Sequence, residues 1–472
     1  MANDNPLLAL AAIISSGAET LNNAYSKRGL SFPSLNEPFS PGPLDDDQGL
    51  ADTTRLIVAA AHQIIATVRS PMETIQDYCP AMYMSSSLRF VEETHIADVL
   101  KDAPQGMHVD DIGAKADVDG VKIARILRYL ASRHVFKEVT PNVFANNRVS
   151  SVLVKAYPLE ELKANSLTRY EGAPAAAFVG HVYVVAGLSR RLTLTHSRTD
   201  EAFKSSGHLS SHSTESKDYD APFNAAYNTQ ASLWKWYEEP DNEWRGRRFA
   251  TAIKGGGDRF PASIFVDSLN WKALKPESVV VDVGGNVGSV TLTLAAAFPH
   301  LKYVVQDLKP VIENNAQKAS APCFWEDEAP ELVSSGRVTL QAQDFFQPQS
   351  VKQADVYFLR LVIHDWPDST SEIILKNLRA VAAPHTKLVI YEMIMPHACP
   401  DDSGSPPPPF PLLANLGLPL GGFLTMVDLQ MMTLFNGQER TFTQFVELGA
   451  RAGWTFEHVK PGLLSAFIFT AA

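Results

Sequence analysis

From Val279 to the end of the chain, short apolar runs alternate with stretches of helical spacing. Five runs are rich in β-branched residues: SVVVDVG, LKYVVQDL, RVTLQAQD, DVYFLRL and KLVIYEMIM. The intervening helices are predicted near 288–298, 310–318, 369–382 and 424–435, and GWTFEHVKPGLLSAFIFTA is predicted to form a closing hairpin. Strands that alternate with helices usually form a parallel sheet with crossover helices. The C-terminal part is therefore predicted to be an α/β domain.

A glycine-rich loop follows the first of these strands, in DVGGNVGS at 282–289. Gly284 and Gly285 let the backbone turn sharply and approach a ligand without a Cβ atom in the way. Gly288 allows the next helix to pack against the strand. The spacing differs from the Gly-x-Gly-x-x-Gly fingerprint of dinucleotide-binding folds. It is typical of the corresponding loop in nucleoside-dependent methyltransferases, although a glycine-rich loop alone occurs in many α/β proteins.

Acidic residues end the next two strands. Asp307 lies 23 positions after Gly284, where a carboxylate can accept hydrogen bonds from ribose hydroxyls. Asp344 ends the third strand and precedes Phe345, a pair suited to hold an adenine amine and to stack on the ring. Each acid could instead cap a helix or close a turn. Because ligands of α/β folds bind at the C-terminal ends of strands, the ordered series favours a nucleoside cofactor.

The fourth strand ends in LRLVIHDWPD, residues 359–368, which places a titratable pair at its end. His364 and Asp365 are either a polar turn or part of the chemistry. Asp365 is expected mainly to hold the turn. This segment alone does not decide whether His364 is structural or catalytic.

Length and charge limit the functional classes. A chain of 472 residues is expected to form two or three domains, and a formal charge of -11 argues against nucleic acid as a partner. Three distant cysteines give no metal-ligand spacing and fit a reducing compartment. The N-terminal run PLLALAAIISSGAETL is broken by polar residues, so neither a signal peptide nor a membrane span is predicted. A cytoplasmic location is expected.

The N-terminal part has helical patterns at 6–24 and 51–69, followed by a pattern typical of a winged helix. Ile123, Leu127 and Leu130 occupy one face of its second helix. A winged helix can bind DNA, but residues 85–147 carry eight basic and nine acidic side chains, so no basic field exists. A protein–protein dimerisation module is the favoured interpretation.

Three further segments shape the domain limits. The polar stretch 198–220 is predicted to be a loop, and His196, His208 and His212 are expected to be solvated rather than metal-binding. Tryptophan- and tyrosine-rich residues 223–249 are expected to form core contacts. The Pro- and Gly-rich insert 396–422 is expected to be a flexible excursion. The predicted domains are 1–165 (helical and winged-helix), 166–250 (connector and substrate-lining) and 251–472.

Across nearly the whole chain, the sequence resembles the plant and fungal small-molecule O-methyltransferases of the caffeic-acid type. The matching motifs, in family order, are DVGGNVG, VVQDL, QDFF, IHDWPD, VIYEMIMP and NGQERTFTQF. Asn286 departs from the usual glycine, but asparagine tolerates the left-handed conformation. The resemblance implies a Rossmann-like, seven-stranded class I methyltransferase domain behind a mainly α-helical winged-helix dimerisation domain. It also implies S-adenosyl-L-methionine as cofactor and a homodimer.

The resemblance also implies roles for individual residues. His364 matches the general base that takes the proton of the acceptor hydroxyl, and Glu392 and Glu439 match the acids beside that base. Arg360 matches a basic position near the cofactor, and Met431 matches a substrate-lining position. The implied acceptor is an aromatic or polyketide-type hydroxyl, and no metal is expected.

Three alternatives remain open. Some relatives bind the sulfonium cofactor but catalyse dehydrations or pericyclic reactions; loss of the strand-four histidine would favour that function, whereas His364 is present here. A winged-helix regulator that senses a ligand is disfavoured by the acidic balance. A metal-dependent methyltransferase would need clustered carboxylates, which the sequence does not reveal.

Overall fold

The computed structural model describes residues 5–45, 47–79, 81–185, 221–257, 260–313, 324–399, 407–417, 421–462 and 464–471. The chain forms two compact units. The first comprises Met1–Thr199, Leu233–Arg259 and His397–Phe423, and the second comprises Asp200–Ser232, Phe260–Pro396 and Leu424–Ala472. The domain limits given above stay predictions. The predicted loop 198–220 lies outside the described residues, as do His196, His208 and His212.

The secondary structure follows the alternation of the sequence. The α-helices are α1 Pro6–Ser26, α2 Gln48–Val68, α3 Pro71–Tyr78, α4 Ala81–Glu93, α5 Ile96–Val99, α6 Val109–Ala116, α7 Gly120–Ala131, α8 Leu159–Ala164, α9 Pro174–Val185, α10 Pro222–Tyr227, α11 Leu233–Glu238, α12 Glu243–Gly257, α13 Ser263–Val266, α14 Ser289–Ala297, α15 Lys309–Val311, α16 Phe324–Glu328, α17 Pro330–Ser334, α18 Asp368–Arg379, α19 Phe423–Phe435 and α20 Phe442–Arg451. The strands are β1 Met107–His108, β2 Lys137–Thr140, β3 Val143–Ala145, β4 Val279–Val283, β5 Lys302–Asp307, β6 Val338–Ala342, β7 Val356–Arg360, β8 Lys387–Glu392, β9 Thr455–Lys460 and β10 Ser465–Thr470.

Helices α1 and α2 begin at side-chain caps and pack on each other. The Asn5 side chain accepts hydrogen bonds from the backbone of Leu7 and Leu8, and Asp47 caps α2 in the same way. Their close approach depends on Gly17, because a Cβ there would lie 2.5 Å from Cγ1 of Ile57. Both predicted N-terminal helices are therefore confirmed, with ends that differ by up to three residues.

The winged-helix pattern is also confirmed. Helix α7 is capped by Asp119, and a three-stranded antiparallel sheet of order β1-β3-β2 follows from the adjacent segments. Ile123, Leu127 and Leu130 are all 0% exposed and form the centre of one apolar core. The spacing of these three residues was sufficient to predict which face of the helix is buried.

The second unit is built on a seven-stranded sheet of order β6-β5-β4-β7-β8-β10-β9. Strands β4 to β8 run parallel, and β10 and β9 form the antiparallel hairpin that the sequence predicts. Strand order reverses between β4 and β7, so the loops that follow these two strands open a crevice at their C-terminal ends. The register Arg360 opposite Tyr391 aligns the ends of β7 and β8.

The described part of the Pro- and Gly-rich insert is attached to α2 in the first unit. The Gln63 side chain donates to the Pro411 carbonyl over 2.7 Å and accepts from the Leu413 amide over 3.2 Å. One amide side chain thus satisfies a backbone donor and a backbone acceptor of the insert. Of the predicted insert, residues 400–406 and 418–420 lie outside the described residues.

None of the described helices is both long and apolar enough to span a membrane.

The winged-helix core generates a stability prediction. Leu127→Ala removes a buried side chain and leaves a cavity, so it should lower the free energy of unfolding by about 2–5 kcal/mol. The matched control is Val121→Ala on the same helix, where the side chain is 68% exposed and the loss should stay within about 0.5 kcal/mol. Urea denaturation of the full chain measures both; equal losses would contradict the assigned core face.

Candidate active site

The glycine-rich loop after β4 adopts the conformation that its sequence requires. Gly284, Asn286 and Gly288 have φ angles of 69°, 52° and 88°, all in the left-handed region. Asn286, the predicted departure from glycine, therefore occupies a conformation that asparagine tolerates. Gly285 is needed for space, because a Cβ there would lie 2.5 Å from Cγ of Asp282.

Asp307 lies beside this loop at the end of β5. One of its oxygens accepts from the Asn286 amide over 2.8 Å, and the other accepts from the Leu308 amide over 2.7 Å. Burial raises the pKa of Asp307, while these two hydrogen bonds act in the opposite direction. The carboxylate fixes the loop and retains further lone pairs for a ligand.

Asp344 and Phe345 lie after β6. An oxygen of Asp344 accepts from the Phe346 amide over 2.9 Å, which closes a short turn. The ring of Phe345 packs near Gly284, since a Cβ at position 284 would lie 3.5 Å from it and 3.1 Å from Cγ2 of Val362. The structure thus brings Phe345 to the glycine loop and to the segment that precedes His364.

These residues fit a nucleoside-containing sulfonium cofactor. The missing Cβ at Gly284 leaves backbone exposed between Phe345 and Val362, where a side chain would fill the space. The Asp307 carboxylate can accept from hydroxyl groups, and an aromatic ring lies at the same sheet edge. The residues that would hold S-adenosylmethionine are therefore close together in one unit.

Two further predicted residues lie on β7 and α19. Arg360 ends β7, with its guanidinium carbon 5.5 Å from the ring centre of Phe260. Met431 is a buried residue of α19, and its carbonyl accepts from the Gly437 amide over 3.2 Å. The substrate-lining role of Met431 stays a prediction.

Glu392 determines the shape of the turn that carries His364. Because Arg360 pairs with Tyr391, the last residue of β8 lies next to the backbone that leaves β7. There, Oε1 of Glu392 accepts from three successive amides, those of Val362, Ile363 and His364, over 3.1, 2.9 and 3.2 Å. Glu392 is 0% exposed, so the turn is anchored by a buried carboxylate.

Glu439 orients the imidazole itself. Its Oε1 lies 2.7 Å from Nδ1 of His364, and Oε2 of Glu392 lies 3.9 Å from the same nitrogen. An ionised carboxylate only accepts hydrogen bonds, so Nδ1 carries the proton. The other ring nitrogen, Nε2, lies 3.6 Å from Oδ1 of Asp365. The structure therefore brings the predicted base and both predicted acids together, with Asp365 as a third acid.

The acids change the protonation of the histidine. Burial lowers the pKa of His364, but Glu392, Glu439 and Asp365 outweigh that effect and raise it to about 10. Burial raises the pKa of Glu392, opposed by the charge of His364, and burial raises the pKa of Asp365 to about 6. Near neutral pH the imidazole of the unliganded protein is consequently protonated.

Arg440, which the sequence analysis missed, holds the other side of this turn. It is 0% exposed and donates to the carbonyls of Ile363 and Trp366, over 2.8 Å each. It also donates to Asp368 over 2.8 and 2.9 Å. Its neighbour Glu439 was identified, but nothing in the sequence shows that Arg440 reaches carbonyls more than 70 positions earlier.

Two residues near the glycine loop were missed for a similar reason. The Trp325 indole donates to the Val287 carbonyl over 2.8 Å and covers Gly288, where a Cβ would lie 2.8 Å from the indole ring. Asp282 accepts from Thr291 over 2.7 Å, and its burial raises its pKa to about 7. Asp282 stands inside the predicted motif, which was the available signal; Trp325 had none.

A metal centre is the other chemical use of this set. Donor atoms of His364, Glu392 and Glu439 lie within 4.8 Å of one another. However, Nδ1 of His364 already bonds Glu439, and Oε1 of Glu392 already accepts from three amides. These contacts support an acid–base arrangement, and they leave fewer lone pairs for a cation.

Comparison with known proteins finds two matching domain families. Residues 218–408 match an O-methyltransferase domain, and residues 76–156 match an O-methyltransferase dimerisation domain. An O-methyltransferase of Armillaria gallica is 33% identical over 95% of this chain and 94% of its own length. A 4-O-methyltransferase of Phanerochaete chrysosporium is 33% identical over the same shares. A solved structure described as a pericyclic reaction enzyme has a similar fold, with a TM-score of 0.62 and 18% identity over 97% of this chain and 98% of its own.

The buried arginine generates the prediction for this site. Arg440→Gln removes the buried cation that donates to Asp368 and to the carbonyls of Ile363 and Trp366, so the free energy of unfolding should fall by about 3–5 kcal/mol. Arg451→Gln is the matched control, because Arg451 bonds the same Asp368 over 2.7 Å from an exposed position and should contribute about 0–1 kcal/mol. If denaturation of the two variants gave the same loss, Arg440 would not anchor the turn.

Proposed function

This chain belongs to the S-adenosylmethionine-dependent O-methyltransferases of the caffeic-acid type, and we propose that it methylates a hydroxyl of an aromatic or polyketide-type small molecule with His364 as general base. The observation that carries the proposal is the 2.7 Å contact between Nδ1 of His364 and Glu439. It fixes the ring and leaves Nε2 as the nitrogen that exchanges a proton with the acceptor.

The proposed cofactor residues are those that converge at the glycine loop. Gly284 and Gly285 supply a backbone without side chains, Asp307 accepts from the ribose hydroxyls, and Asp344 with Phe345 contacts the adenine. Arg360 contributes positive charge at the end of β7. When bound, S-adenosylmethionine supplies an activated methyl group on a sulfonium.

The raised basicity of His364 suits a phenolic acceptor. A phenol has an ordinary pKa near ~10 and a histidine near ~6.5, so an ordinary histidine would be a poor acceptor for that proton. The difference of about 3.5 pKa values corresponds to about 5 kcal/mol. The three neighbouring carboxylates raise the pKa of His364 to about 10, which makes the proton transfer nearly balanced. The consequence is that the neutral imidazole is scarce near pH 7.

The proposed assembly is a homodimer. The match of residues 76–156 to a dimerisation domain supports it. The N-terminal helices also expose large apolar side chains, which favour a partner surface. These side chains are Leu7, Leu8, Ile65, Val68, Met72, Ile75 and Tyr78.

A non-methylating reaction on the same fold is the alternative function. The fold likeness to a pericyclic reaction enzyme permits it, but the fold does not determine the reaction. The complete set of His364, Glu392 and Glu439 supports methyl transfer, because a pericyclic reaction needs no base for a hydroxyl proton.

The central experiment measures product mass with purified protein, S-adenosylmethionine and a panel of phenols. The wild type should add one methyl group, and His364→Ala should lower kcat on the order of 10²–10⁴-fold because no base remains. His385→Ala is the matched control: this histidine is 62% exposed beside Asp355, and its loss should leave kcat unchanged.

A chelator should leave the wild-type rate unchanged, since the proposal needs no metal. A substrate that loses water or rearranges without gaining mass would support the alternative function. Full activity of His364→Ala would remove His364 from the mechanism.

The carboxylate contacts predict a specific pH dependence. Below its pKa the imidazole is protonated and cannot accept a proton, so kcat/KM for the acceptor should rise with pH to a limit well above pH 6.5. Glu439→Gln removes a negative charge and should lower the pKa of His364. The rise of kcat/KM should then occur at lower pH, and the maximal rate should be lower.

Glu457→Gln serves as the control for a surface acid, since Glu457 pairs with Lys387 at an exposed position. Its pH profile should coincide with that of the wild type. If kcat/KM of Glu439→Gln rose at the same pH as that of the wild type, Glu439 would not set the basicity of His364.

A further inference from the structure

Arg248 of α12 is a buried cation whose hydrogen-bond donors find no acceptor among the described residues. The residue is only 3% exposed, and its Nε has no hydrogen-bond partner. Among the residues that the structure describes, none accepts a hydrogen bond from this guanidinium or forms an ion pair with it. A guanidinium stays charged at every physiological pH and has five N–H groups to satisfy.

Aromatic rings and a glycine enclose the guanidinium. Its central carbon lies 4.8 Å from the ring centre of Trp244 and 5.6 Å from that of Tyr170. Gly180 of α9 makes room for it, because a Cβ there would lie 2.8 Å from Cδ and 3.0 Å from Nη1 of Arg248. Stacking on aromatic faces stabilises the charge but uses none of the N–H donors in the guanidinium plane.

The nearby acids are already paired with other cations. Glu92 lies 3.2 Å from Nζ of Lys155 and accepts from the Tyr170 hydroxyl over 3.2 Å. Glu93 pairs with Arg169 over 3.4 Å, and Asp98 pairs with Lys155 over 3.3 Å. These three carboxylates therefore pair with Lys155 and Arg169, and none of them bonds Arg248. The free donors of Arg248 call for an added acceptor.

Further rings lie next to Arg248. Phe249 contacts His181 at 4.6 Å, Trp234 at 5.5 Å and Tyr237 at 5.6 Å between ring centres. Burial and then the charge of Arg248 lower the pKa of His181 to about 3, so this imidazole is neutral. Arg169 lies over the Tyr170 ring and Arg245 over the Trp244 ring, but Arg169 donates to Glu93, and Arg245 donates to the Asp241 carbonyl and the Asn242 side chain. The unused donors of Arg248 beside these rings favour a ligand with one negative group and a flat apolar body.

We propose that Arg248 is the recognition residue of a binding site for an aromatic carboxylate. The carboxylate accepts two parallel hydrogen bonds from the guanidinium, and the aromatic body of the ligand packs on the surrounding rings. This site uses none of the residues of the methyl-transfer proposal. The fork geometry of the guanidinium matches a planar carboxylate better than a single point charge would, which is why a lysine should not replace it.

Benzoate and its neutral isostere benzamide test the site directly. Neither carries a hydroxyl, so the result does not depend on methyl transfer. By calorimetry on the full chain, benzoate should bind at least about tenfold more tightly than benzamide, a difference of about 1.4 kcal/mol or more. Arg248→Gln should remove this preference by weakening the binding of benzoate and not that of benzamide. Arg248→Lys should retain only part of the preference.

Two further variants keep the test decisive. Arg247→Gln changes the neighbouring exposed arginine, which pairs with Glu243 over 2.8 Å, and should leave benzoate binding unchanged. Gly180→Ala retains Arg248 but crowds it, and should weaken benzoate while thermal melting shows a folded chain. Equal affinities for benzoate and benzamide, or benzoate binding that survives Arg248→Gln, would overturn the proposal. Displacement of benzoate by an equal concentration of inorganic phosphate would also overturn it, since the site would then recognise anions in general.

Discussion

A single buried oxygen of Glu392 accepts hydrogen bonds from three consecutive backbone amides, and the geometry of the candidate active site depends on it. Buried amides that lack partners destabilise a fold, and the chain that leaves β7 turns too tightly to pair with a strand. A carboxylate at the end of β8 satisfies all three donors. Arg440 satisfies the carbonyls of the same turn from the opposite side. An acid for the donors and a cation for the acceptors together define where His364 lies.

The same contacts have electrostatic consequences. The acids that anchor the turn and orient the ring also surround a half-buried imidazole, so they stabilise its protonated form more than burial destabilises it. The position of the His364 ring and its basicity are therefore set by the same carboxylates. A histidine held by neutral groups could have the same position but would remain a weaker base. This coupling links the sheet register of Arg360 with Tyr391 to the acid–base chemistry proposed for the enzyme.

Much of this site was predictable from local sequence. The apolar runs predict the strands. The glycine loop, Asp307, Asp344 and His364 each lie at or just after the end of a strand, and parallel strands bring such positions to one edge of the sheet. The resemblance to a family added Glu392 and Glu439. Arg440 and Trp325 were not predictable, because their roles come from contacts with backbone that is 38 to 77 positions away.

Outside the site, too, local patterns were predictable from the sequence and contacts between distant residues were not. Helical spacing predicted the buried face of α7, whereas the bond between Gln63 and the insert joins residues separated by 348 positions. The 223–249 region was expected to supply core contacts, and its tryptophans and tyrosines do pack together. That no described acid pairs with Arg248 could be recognised only once the neighbouring acids were seen to pair with Lys155 and Arg169.

The central claim is that buried carboxylates make His364 an unusually strong base, and an NMR titration tests it most directly. The protein would be labelled with ¹³C at the histidine Cε1, and the signal of His364 identified by its absence from His364→Gln. The account predicts that this signal titrates with a midpoint well above the ordinary histidine pKa of ~6.5. A midpoint at or below that value would show that burial outweighs the three acids, and His364 could not then have the basicity on which the account depends.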